Sequence, residues 1–179
     1  TIDDILSVMP APDFPTGGQL ISKKDDIREA YSTGRGTLKV RARYTFEEMQ
    51  RGHWRLIVTE LPPNTSAQRV LNEVGEITNP KIRPGKKTLS AEQQQAKAAM
   101  LALLDTVRDE SDKETPTRLV FEPKTKNVDR DEFVNALLAQ TSLESNVSMN
   151  LVMVGSDGKP RQKNLLEIFK EWLAFRLQT

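Results

Sequence analysis

Apolar residues recur at helical spacing from the start of the chain. Ile2, Ile5, Leu6 and Met9 fall on one face, and Pro10 stops the turn. In the loop A-P-D-F-P-T-G-G, residues 11–18, the prolines fix an extended path and the paired glycines permit a sharp bend. Leu20 and Ile21 read as a short strand. Asp25 to Ser32 reads as a helix with Ile27, Ala30 and Tyr31 on one side, ended by Gly34 in the left-handed region. The period then changes to two. Thr37–Phe46 and Trp54–Thr59 both alternate and predict a hairpin, with Q-R-G-H as its turn and Gly52 at positive φ. On the first strand Leu38, Val40, Ala42 and Tyr44 share one face, while Lys39, Arg41, Arg43 and Thr45 share the other.

Leu61-Pro62-Pro63 ends the second strand, and Ser66 caps a helix that turns Val70, Leu71, Val74 and Ile77 inward. The texture then shifts to N-P-K-I-R-P-G-K-K, basic and broken by proline. The helix-favouring S-A-E-Q-Q-Q-A-K-A-A-M-L-A-L-L follows, with Ser90 and Gln93 spaced as a capping box. This pair of segments, about 78–104, reads as an insertion. Arg118–Glu122 is a strand. Asp129 and Glu132 cap a helix that buries Phe133, Leu137 and Leu138. Val147–Val154 is a strand, S-D-G-K a turn, and Asn164 caps a last helix with the stripe Leu165, Ile168, Phe169, Trp172 and Phe175. There is no internal repeat. Strands and helices mix irregularly, which predicts an α+β fold: a mixed or mostly antiparallel sheet flanked by helices.

Composition narrows the function. The 179 residues suffice for one good core or two small ones, and 37% hydrophobic with 28% charged residues fits a soluble globular protein. A formal net charge of +1 provides no global field toward DNA or an acidic membrane, so electrostatic binding must come from local clusters. The absence of cysteine excludes disulfides, thiolate catalysis and Cys-based zinc sites, and is compatible with a reducing cytoplasm. No run has the apolar length to span a bilayer, and the first ten residues lack the pattern of a signal peptide. Without an initiator Met, the chain reads as a piece of a longer protein.

Five stretches have candidate chemistry. His53 falls in the hairpin turn with no Ser, Cys or second His at a catalytic spacing, and reads as a turn residue. The carboxylates of Asp109–Asp112 are clustered as for a divalent cation, but not at the spacing of a calcium loop. They read as a solvated polar turn before a strand. G-R-G at 34–36 lacks the G-x-x-x-x-G-K pattern and precedes a strand. As a helix stop it needs no ligand, although Arg35 between two glycines is placed to meet a phosphate. The row Lys39, Arg41, Arg43 has two readings: a solvated face, or a contact with a nucleic-acid backbone. Few aromatics lie among these charges, which favours duplex over single-strand binding. K-I-R-P-G-K-K is a second basic cluster.

Taken in order, A-P-D-F-P-T-G-G, A-Y-S-T-G-R-G-T-L-K-V-R-A-R, I-V-T-E-L-P, R-D-E-S-D and L-L-A-Q-T-S-L-E-S-N-V-S-M-N-L-V resemble the A subunits of bacterial type IIA DNA topoisomerases. The resemblance covers nearly the whole chain apart from the region around Thr78 to Leu104. E-T-P-T-R-L-V and N-L-L-E-I-F-K-E-W-L-A-F-R look more like the topoisomerase IV branch than gyrase. It implies a tower, or shoulder, region over residues 1–160 and the start of a coiled-coil arm over 161–179. It further implies an intact enzyme of two A and two B subunits, an isomerase that cuts one duplex through tyrosyl-phosphate links, passes a second and reseals. Relaxation and decatenation would be ATP-dependent, with ATP and magnesium used by the partner B subunit, and the location cytoplasmic and nucleoid-associated.

The family nucleophile lies in a winged-helix region, in a motif resembling A-M-R-Y-T-E. R-Y-T at Arg43–Thr45 matches three of those letters, but it follows Y-S-T-G-R-G and so aligns with a later part of the family pattern. A strand rung facing the core also cannot offer the Tyr44 hydroxyl to DNA. Tyr31 does not match either. No catalytic residue, cofactor or metal ligand carries over, and the segment alone should be inactive. What carries over is support of bent duplex DNA by Arg35, Lys39, Arg41 and Arg43. The alternative is a structural spacer between DNA gate and exit gate, contacting protein only, with Leu165, Ile168, Trp172 and Phe175 as its working surface.

Overall fold

In a computed structural model describing residues 1–179, the elements run α1 (Ile2–Val8), β1 (Gln19–Leu20), α2 (Lys24–Thr33), β2 (Arg35–Arg41), β3 (Arg43–Glu48), β4 (Trp54–Glu60), α3 (Ala67–Thr78), α4 (Ala91–Leu103), β5 (Leu104–Asp109), β6 (Leu119–Pro123), α5 (Arg130–Gln140), β7 (Glu144–Asn150), β8 (Val152–Val154), β9 (Pro160–Gln162) and α6 (Leu165–Gln178). The sheets are β1-β2-β7, the antiparallel β3-β4-β6-β5 and the hairpin β8-β9. This is the α+β class that the irregular alternation implies. No helix is long and apolar enough to cross a membrane.

The chain divides into two interleaved units. The first comprises Thr1–Phe14, Leu20–Val40 and Asn146–Thr179; the second comprises Pro15–Gln19 and Arg41–Ser145. In this division 161–179 belongs to the first unit together with 146–160.

The first unit closes around Ile5, Ile27, Ala30, Tyr31, Leu38 and Leu165. Its helices are bounded by local chemistry. Thr1 and Asp4 form a capping box on α1, and Asn164 and Glu167 form one on α6. Gly34 ends α2 at φ 73°. Tyr31 is buried and its hydroxyl has no hydrogen-bond partner; burial, and then the Asp13 charge, push the phenol up. A buried donor without a partner contributes nothing to stability. Tyr31→Phe is therefore expected to leave thermal stability unchanged or raise it by up to about 1 kcal/mol. A clear loss on thermal denaturation would mean that the hydroxyl is bonded, for example by a buried water.

The second unit packs the inner face of its sheet, including Trp54, Leu56, Val58, Leu119 and Phe121, together with Val70 and Val74 of α3 and Phe133 and Leu137 of α5. The expected hairpin is present as β3–β4, and its turn puts both Arg51 (φ 60°) and Gly52 (φ 76°) in the left-handed region.

The structure adds to the sequence reading in three places. The alternating run Thr37–Phe46 is not one strand: it breaks at Ala42, whose N–H donates to Leu143 O at 2.6 Å, and β2 and β3 join different sheets. Alternation fixes which face a side chain takes, not which neighbour the strand pairs with. Within the region 78–104, Met100 and Leu104 are buried in the second core and α4 packs on α3. α4 also leads directly into β5, a strand that the sequence pattern does not predict. The strand near the end of the chain stops at Asn150 and resumes as the β8–β9 hairpin, with Gly158 at φ 74° in its turn.

Candidate nucleic-acid interface

Strand β2 presents Arg35, Thr37 and Lys39 outward and buries Leu38 and Val40. β7 lies beside it and alternates in the same way: Asn146, Ser148 and Asn150 are exposed while Val147 and Met149 are half-buried. Where the two strands meet the end of β9 there is an open recess of about 520 Å³. Its polar lining is Arg35, Thr37, Ser148, Asn150 and Gln162, and no carboxylate lines it.

Local structure fixes the position of Arg35. Gly34 makes the turn out of α2, and the Thr33 hydroxyl lies 2.8 Å from both Glu29 O and Arg35 O, a second tie on the junction. The Gln162 side-chain amide donates to Thr33 O at 3.0 Å. The Arg35 side chain is exposed and forms no ion pair.

The next cations along the chain sit differently. Arg41 holds Glu144 Oε2 through Nε at 2.9 Å and Nη2 at 2.8 Å, and its side chain is 33% exposed. Arg43 donates from Nε to Glu60 Oε2 at 3.0 Å, with its side chain 54% exposed. Glu60 also accepts the Gly18 N–H at 2.7 Å. That backbone bond, then Arg43, hold the carboxyl below its usual range. A Cβ on Gly17 (φ 78°) would stand 2.5 Å from Glu60 Oε2, so the paired glycines are a bend wrapped around this carboxylate. Lys39 is exposed, and its backbone N–H donates to Ser22 Oγ at 2.7 Å. In sequence the row Lys39, Arg41, Arg43 has no acid within it; in space, acids from other strands reach it.

The remaining candidates resolve as local structure. Tyr44 is half-buried, with its ring edge-on to Phe46 at 6.0 Å. His53 is exposed and closes the hairpin turn through its carbonyl, which accepts the Met49 N–H at 2.7 Å. Asp109 accepts Ser111 N–H at 3.0 Å. Asp112 accepts the backbone N–H groups of Thr115 at 2.6 Å and Glu114 at 2.9 Å, the Thr115 bonds foremost in lowering its pKa. These carboxylates build a turn. K-I-R-P-G-K-K is exposed along its length.

The α6 stripe is buried only at Leu165. Phe169, Trp172 and Phe175 are exposed, and Trp172 and Phe175 line a groove of about 480 Å³ with the β8–β9 hairpin. At its edge Lys163 is 6% exposed and paired with Glu171. Sequence reasoning does not single out Asn146, Ser148, Asn150 and Gln162. The signal for the first three is the alternation N-V-S-M-N, which by itself says only strand.

The family model for the A subunit of DNA gyrase/topoisomerase IV matches residues 1–179. The chain is 56% identical over 176 residues to the A subunit of DNA topoisomerase 4 from Neisseria gonorrhoeae, covering 98% of this chain and 23% of that protein. It is 37% identical over 179 residues to the proteins of that name from Salmonella typhimurium and Escherichia coli, covering all of this chain and 21% of each. The chain thus spans between 21% and 23% of the length of these relatives.

Proposed function

The chain belongs to the family of DNA gyrase/topoisomerase IV A subunits, and from that premise we propose that it is a non-catalytic support for duplex DNA within a topoisomerase IV. The parent enzyme on this reading is an ATP-dependent isomerase of two A and two B subunits that relaxes and decatenates DNA. ATP and magnesium are handled by the B subunits. Residues 1–160 form the tower, and α6 begins the coiled-coil arm.

The observation that carries the proposal is the exposed face of β2, where Arg35 stands beside a recess without acids. Holding a bent duplex costs on the order of a few kcal/mol, which backbone contacts offset without reading sequence. Arg35 and Lys39 lie on this face. Arg41 and Arg43 contribute less than Arg35, because Glu144 and Glu60 already neutralise part of their charge. A guanidinium has five donors, however, and Arg43 engages Glu60 through Nε, leaving its terminal N–H groups for a phosphate.

The test uses the intact A subunit together with its B partner. Arg35→Glu is expected to weaken duplex binding at least tenfold at low salt and to flatten the salt dependence by about 0.9 in slope per lost phosphate contact. The loss should be equal for unrelated sequences. Unchanged affinity and slope would remove this face from the DNA track. Cleavage or relaxation by the 179-residue segment mixed with its B partner would overturn the non-catalytic assignment.

The spacer reading has its own support in the Arg41–Glu144 and Arg43–Glu60 pairs and in the uncovered Phe169, Trp172 and Phe175. It predicts that Arg35→Glu has no effect on binding, while substitutions on α6 impair strand passage.

A further inference from the structure

The recess beside Arg35 contains one full positive charge and four neutral polar side chains. Thr37 and Arg35 come from β2, Ser148 and Asn150 from β7, and Gln162 from the end of β9. All four neutral groups are hydroxyls or carboxamides, which donate hydrogen bonds without adding charge. Gln162 is already oriented by its bond to Thr33 O, with one amide N–H left over. The ligand such a set fits is an acceptor with one negative charge. A phosphodiester has one, whereas free phosphate at neutral pH has between one and two. The site is also open, on the outward face of two paired strands, so a backbone can lie along it. Small anions are held instead in concave nests of backbone N–H groups.

We propose that Ser148 and Asn150, with Thr37 and Gln162, complete a neutral-donor subsite around Arg35 for a backbone phosphate of duplex DNA. The proposal rests on the DNA-supporting reading above and adds β7 and β9 to a track that the basic residues alone would confine to β2. It also has a signature that a basic patch lacks. Replacing a cation removes counterion release and changes the salt slope; replacing a neutral donor weakens binding by the same factor at every salt concentration.

The experiment is a salt titration of duplex binding by the intact A and B subunits. The double variant Ser148→Ala/Asn150→Ala is expected to bind about three- to tenfold more weakly, with the slope unchanged. In an Arg35→Ala background the same double substitution should cost clearly less, because groups on one phosphate do not act independently. Ser148→Asp, at an exposed position, should lose more than tenfold with an unaltered melting temperature. If Arg35→Glu weakens binding but neither the alanine pair nor Ser148→Asp does, the subsite is wrong and the DNA reading stands. If Arg35→Glu is also silent, both fall. Inorganic phosphate that binds the recess in the wild type but not in the Ser148→Ala/Asn150→Ala variant, and does so without weakening duplex affinity, would assign the recess to a free anion and overturn the duplex assignment.

Discussion

Alanine at Gly34 is expected to lower the melting temperature of this chain by roughly 6–12 °C, the consequence of losing about 3 kcal/mol or more at about 2–4 °C per kcal/mol. Two costs add. Gly34 sits at φ 73°, where a Cβ costs about 1–2 kcal/mol. That Cβ would also stand 2.1 Å from Lys163 O, a backbone atom. Neither segment can step aside cheaply. Leu151 N–H donates to Gly34 O at 2.7 Å, and Lys163 N–H donates to Leu151 O at 3.0 Å, so the three segments are tied. The control is Gly158→Ala. Gly158 has nearly the same φ, 74°, but nothing lies within 4 Å of where its methyl would stand, so only the conformational cost of about 1–2 kcal/mol applies. Thermal denaturation by circular dichroism measures both. Equal losses at 34 and 158 would show that the Lys163 segment yields.

Gly34 also marks how far sequence reading reaches. Its role as a helix stop is legible, because a C-cap glycine is a local signal next to a helix end. Its contact with Lys163 is not, since nothing local ties residue 34 to residue 163. The same distinction runs through the fold. Ser66, Ser90, Asp129 and Asn164 are readable as caps because each bonds to a backbone N–H two or three residues on. β5 is not readable. It is an edge strand, L-D-T-V-R-D, whose apolar positions are only Leu104 and Val107, too few for a periodic signal. The switch at Ala42 is hidden for another reason: inward and outward positions stay in phase through it, with Leu38, Val40 and Ala42 all buried, so the pattern has no trace of the change of sheet.

The candidate interface divides in the same manner. Period two places Lys39 and Arg43 outward correctly. It cannot supply Glu60 or Glu144, which come from β4 and β7 and enter only once strands pair. Nor can it promote Ser148 and Asn150, ordinary surface residues until β7 is known to lie beside β2. Charge is visible in a sequence; neutral donors that strand pairing brings beside it are visible only through topology.

Phe133→Ala is expected to cost about 3–5 kcal/mol, against a much smaller loss for Trp172→Ala, at most about 0.5–1 kcal/mol. Both are large aromatic residues on helices with apolar stripes, and sequence alone treats them alike. Phe133 is fully buried, and its ring meets Trp54 edge-on at 5.3 Å. Trp54 continues to Phe46 at 5.5 Å and Phe46 to Tyr44 at 6.0 Å, a chain of edge contacts across the sheet face. Trp54 is further fixed by Nε1–H donating to Lys126 O at 3.3 Å, so it cannot slide into the space a missing ring leaves. The cavity therefore persists, and the Trp54 fluorescence should change with it. Trp172 is 57% exposed and has little to lose. Denaturant unfolding of both variants tests the contrast. A Trp172→Ala loss as large as that at Phe133 would mean that α6 packs inward along its whole stripe. A stable Trp172→Ala variant that nevertheless slows strand passage by the intact enzyme would instead identify the exposed stripe as a working surface, and would shift the balance toward the spacer reading.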